Sequence, residues 1–160
     1  MRPELTNVDV FNLSALRLLS LLFESFPQPI ALDADDLAIE ADTDFGMSIN
    51  ETIKFVNLAP HTITWLAEEG FLRYEKAAYP GSSNFLNVRL SLKGLMVLGY
   101  SPTALQSPEK QKSLITRIKE VVATGAQNAG SDLVKNLLGE VLRMSVRQVF
   151  PEQLPGILES

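Results

Sequence analysis

Residues 62–98, TITWLAEEGFLRYEKAAYPGSSNFLNVRLSLKGLMVL, read in order as the end of a helix, a strand, a hairpin tip, a second strand and a short helix. Gly70 follows two glutamates at the position where a left-handed cap closes a helix. Phe71 to Glu75 and Phe85 to Leu90 carry the aromatic and branched residues of strands. Between them Pro80-Gly81 and Ser82-Ser83-Asn84 supply turn chemistry, so the two runs pair as a hairpin. Ser91 then caps LKGLMVLG, a short helix that ties the hairpin's end to the core through Leu92, Leu95 and Leu98.

Upstream, Val10, Leu13, Leu16, Leu19, Leu22, Phe23 and Phe26 recur at three- and four-residue spacing, which predicts an amphipathic helix over 9–26 capped by Asp9 or Asn12. Pro27 and Pro29 stop it, and residues 29–32 follow as a short extended segment. Asp33 caps the next turn, ADDLAIEA, with Leu37 and Ala41 inward, and the acids around Gly46 form a solvated loop. Between Ile49 and Gly70 the apolar spacing is helical, but Pro60 in a helix interior costs about 3 kcal/mol. A break near Leu58 and Ala59 is therefore expected, with Pro60 opening a second helix over 60–69.

The blocks TITWLAEEGFLRY and LSLKGLMVL resemble, respectively, the recognition helix running into the wing and the segment after the wing in the winged helix-turn-helix superfamily, common among bacterial transcription regulators. The resemblance spans Asp9 to Gly99, and the chain departs from the pattern in the long acidic insert from Asp33 to Asn50. It implies a mainly α fold with a small β-hairpin wing, a winged-helix domain over 9–100, and double-stranded DNA as partner. In that reading His61, Thr62 and Thr64 enter or touch the groove. Arg73, Lys76, Arg89 and Lys93, with Ser82, Ser83 and Asn84 at the tip, meet phosphates.

SPTALQSP, 101–108, is a proline-bounded linker, and 109–150 is helical in character with a break expected around GAQNAG. Residues 151–160 form an irregular tail. The stripe of Leu114, Ile118, Val121, Val122, Leu133, Leu137 and Val141 must be buried on the chain's own core or on another copy. Appended helices of winged-helix regulators commonly make dimers, and the resemblance implies a homodimer here. Seven bases flanking the stripe suggest peripheral membrane association as an alternative, which six acids in 109–160 nearly cancel.

Composition narrows the function. At 160 residues and 46% apolar content the chain can build a real core, and no run approaches the roughly eighteen apolar residues of a membrane span. The N-terminus lacks the pattern of a secretory signal, so a cytoplasmic location is expected. With no cysteine and one histidine, thiol chemistry is excluded and a transition-metal site is not expected. No phosphate loop, dinucleotide glycine pattern or tuned acid-base pair occurs, so the reading is non-enzymatic and cofactor-free.

The net charge of -5 opposes indiscriminate nucleic-acid binding, but seven acids lie between Asp33 and Glu51, and removing them from the 19 of the chain leaves 12 against 14 bases. That insert mimics a calcium loop from Glu40 to Glu51, yet Phe45 stands where the turn needs glycine; a basic protein partner is the better use of its charge. The expected reading helix, 60–69, contains no Arg, Lys, Asn or Gln and ends on Glu68 and Glu69. A protein-interaction module without DNA binding is therefore the rival to a regulator.

Overall fold

Thr6, rather than Asp9 or Asn12, caps the first helix: its hydroxyl accepts from the Asp9 amide while the Asp9 carboxylate accepts from the Thr6 amide, a reciprocal box. The computed structural model describes residues 4–37, 47–77, 83–99, 113–124 and 131–149. Helix α1 runs Asn7–Ser25 and buries Val10, Leu13, Leu16, Leu19 and Leu22, the stripe that the spacing marks out. Strand β1, Ile30–Asp33, leads into a helical turn at 34–37, where the Asp33 carboxylate accepts from the Asp35 amide at 3.0 Å and Leu37 is buried.

The expected break at Leu58 and Ala59 is absent. Helix α2 is one piece, Ile49–Glu68, with Pro60 inside it. The apolar face of Phe55, Ala59, Ile63 and Leu66 is buried on both sides of the proline and packs against α1. Each large side chain in that face contributes about 1.5–3 kcal/mol, so together they outweigh the roughly 3 kcal/mol that Pro60 costs. Hydroxyls of Thr62 and Thr64 also donate to the carbonyls of Leu58 and Pro60, at 3.1 and 3.0 Å.

After α2 come β2 (Leu72–Arg73), β3 (Lys76–Ala77) and β4 (Asn84–Leu90), with β4 central: β1 lies antiparallel on one side, β2 and β3 on the other. The antiparallel ribbon expected over 71–90 is thus present, while its tip at 78–82 lies outside the described residues. Strict alternation would put Asn87 on the same face as Phe85. Instead Asn87 adopts a φ of 54°, and β4 places two residues, Leu86 and Asn87, between the partners of Leu32 and Ile30, where β1 places only Ala31. This bulge returns Phe85, Val88 and Leu90 to the core together.

Helices α3 (Leu92–Gly99), α4 (Leu114–Thr124) and α5 (Ser131–Val149) complete the fold, and α4 and α5 pack on α1 and α3. Within α3, Val97 and Leu98 anchor to the core, whereas Leu92 is exposed and does not tether. Leu114, Ile118, Val121, Leu137 and Val141 are buried in the same core as α1, with Val122 packed at its edge. The stripe assigned to dimerisation is therefore covered by the chain itself, with Leu133 alone of the seven exposed. The Arg117–Glu140 ion pair at 2.6 Å joins α4 to α5. Among the described residues no helix is long and apolar enough to cross a membrane.

Candidate functional site

The end of α2 is built as a junction. Gly70, at φ 84°, turns the chain left-handed; its amide donates to Ala67 and that of Phe71 to Leu66, the paired bonds that close a helix on glycine. The Ser91 hydroxyl donates to the Gly70 carbonyl and accepts from the Gly94 amide, so one side chain caps α3 and holds the end of α2. Lys93 donates to the Glu69 carbonyl at 2.7 Å and sits 5.0 Å from the Phe71 ring centroid. That lysine, expected at a phosphate, is engaged in closing α2.

Beyond this junction, Arg73 on β2 and Arg89 on β4 are direct cross-strand partners, both exposed. Neither guanidinium has an ion-pair partner among the described residues. Like charges directly opposite destabilise a sheet, a repulsion that an anion between them would relieve. Lys76 lies in β3 opposite Leu86, and its side chain is outside the described residues, as is all of Ser82. Asn84 is exposed, and Ser83 is half-buried with its carbonyl accepting from Ala34.

Of the groove residues expected on 60–69, His61 is exposed and Thr64 half-buried, but Thr62 is buried with its hydroxyl turned to Leu58. The continuous helix adds what the expected break had removed. Asn50, Ile53 and Asn57 are exposed on the same helix as His61, and at 100° per residue the four fall within about 80° of one another. Between Ile49 and Thr64 the sole acid is Glu51, which is buried. Its carboxylate accepts from the Ser48 and Leu5 amides, both at 2.9 Å, in a capping box that also fastens the N-terminal segment. Ser48-Ile-Asn-Glu51 is a legible capping-box signal, and it takes Glu51 out of the solvated acidic loop. Residues 38–46, the rest of that loop's acids and most of the calcium-loop pattern, lie outside the described residues.

Beside the exposed stripe, Asn7, Phe11, Leu58, His61, Thr62 and Trp65 line an open depression of about 350 Å³ between α1 and α2. The rings of Phe11 and Trp65 meet edge to face at 5.3 Å and give it an aromatic wall. Among the described residues no cluster of His, Cys, Asp and Glu could hold a metal ion. A scan of protein-family models, a search of curated proteins and a search of solved structures each find no match to this chain.

Proposed function

We propose that residues 7–90 act as a winged helix-turn-helix that binds double-stranded DNA, with α2 as the groove helix and the β2–β4 ribbon as the wing. The observation that carries this reading is the exposed pair of Arg73 and Arg89, opposed across the ribbon with no ion-pair partner among the described residues, the Glu75 carboxylate on the same ribbon accepting from Asn87 instead. The order helix, strand, helical turn, helix and then the ribbon of β2, β3 and β4, with β4 between β1 and β2, supports this reading. Against the negative net charge stands the exposed face of α2 between Ile49 and Thr64, which carries no acid, although Glu68 falls on the same face farther along the helix. Glu68, eleven residues beyond Asn57, is about 16 Å away along the axis. That exceeds the Debye length of about 8 Å at physiological salt, so its charge is largely screened from Asn57.

Fluorescence anisotropy with a labelled mixed-sequence duplex tests the proposal. Binding that weakens steeply as salt rises, and that Arg73→Ala with Arg89→Ala diminishes, is the expected result. No binding at low salt rejects it. A protein-interaction reading is favoured by the exposed Ile49 and Ile53 and the Phe11–Trp65 depression, and it predicts no salt-dependent duplex binding. Among the described residues, the stripe from Leu114 to Val141 is buried on the chain's own core apart from the exposed Leu133, which favours neither association with a second copy nor with a membrane.

A further inference from the structure

Resting on the DNA-binding reading, we infer that the exposed stripe of α2 selects A·T base pairs, Asn50 and Asn57 each reading an adenine and Ile53 a thymine methyl between them. Carboxamides match the N6 donor and N7 acceptor of adenine in the major groove, and an apolar side chain matches the thymine methyl. Asn50 and Asn57 are seven residues apart, about 10 Å along the axis, close to the rise of three base pairs. Neither carboxamide has a bonded partner among the described residues, so both are free to meet base edges. Ile53, half exposed to water at 53%, gains a nonpolar neighbour that its own fold does not provide.

Guanine readers are missing from this face. The base nearest to it, Lys54, donates to the Glu4 carboxylate at 2.9 Å and the Leu5 carbonyl at 3.1 Å, which holds its ammonium against the N-terminal segment. Arg73 and Arg89 sit on the ribbon rather than on α2 and supply charge without base identity. The division of labour is thus phosphate to the ribbon and base identity to the helix.

The experiment is selection of duplexes from a randomised pool by the full chain, followed by anisotropy on the selected duplex and on copies carrying 7-deazaadenine for adenine or uracil for thymine. A·T pairs should dominate the selected core, 7-deazaadenine should weaken binding about tenfold at the read positions, and uracil should weaken it measurably. Asn57→Ala should erase the preference at one position while leaving the salt dependence intact. Because the base analogues leave the protein untouched, they decide the matter even if a variant misfolds. Selected duplexes with a G·C core or no preference, still bound in an Arg73- and Arg89-dependent way, overturn base selection and leave DNA binding standing. Failure to retain any duplex at low salt overturns both.

Discussion

Gly94→Ala and Gly139→Ala are the same substitution in two helices, and the structure gives them opposite signs. A methyl group at Gly94 would lie 2.2 Å from the Phe71 carbonyl oxygen and 3.2 Å from Leu90 Cδ2, whereas real Cβ contacts stay beyond 3.0 Å. The backbone must therefore open by about 1 Å, at a cost of about 1–3 kcal/mol for overpacking. The same carbonyl accepts the Ser91 amide at 3.0 Å, a bond that such a shift would break for about 1–3 kcal/mol more. Alanine's higher helix propensity returns about 1 kcal/mol. The net is a loss of about 3 kcal/mol, or a fall in Tm of about 6–12 °C for a chain of this size. At Gly139 nothing lies within 4 Å, so propensity alone acts and Tm should rise by about 2–4 °C. Urea and thermal unfolding followed by circular dichroism measure both. A Gly94→Ala chain as stable as the parent would refute the close approach of α3 to Phe71.

Three further outcomes are expected. Glu51→Gln replaces an acceptor-only carboxylate with an amide that can satisfy just one of the two amides it serves, so urea unfolding should show a loss of about 1.5–3 kcal/mol; an unchanged midpoint would mean the box is not formed. Leu137→Ala should cost about 2–5 kcal/mol, with a midpoint that does not vary with protein concentration, whereas a stripe buried between copies would make it vary. Replacing Arg73 and Arg89 together by alanine should reduce the slope of log affinity against log salt by about 2, and an unaltered slope would show that the ribbon does not meet the phosphates.

Much of the frame was readable locally because local chemistry determined it. Gly70 at the end of α2, Asp33 and Ser91 as caps, and the paired runs within 71–90 depend on residues a few positions apart, and these appear where the sequence puts them. The cap at Thr6 and the box at Ser48 and Glu51 were equally local, with their signals present in T-x-x-D and S-x-x-E.

Tertiary packing decided the rest. Pro60 stays inside α2 because burial against α1 exceeds a local penalty, and that one outcome moves Asn50, Ile53 and Asn57 onto the exposed face with His61. Asn87 bends β4 so that Phe85 and Val88 share the core, a placement that alternation alone denies. Periodicity identified the apolar stripe of α4 and α5, but it carries no information about what covers that stripe; α1 and α3 do so. Most elements, their caps and the runs that pair follow from residues close along the chain, since those features rest on local chemistry. Which helix is continuous, which face meets water and what buries the last two helices were decided in the folded chain, where burial free energy summed over many distant contacts exceeds any single local preference.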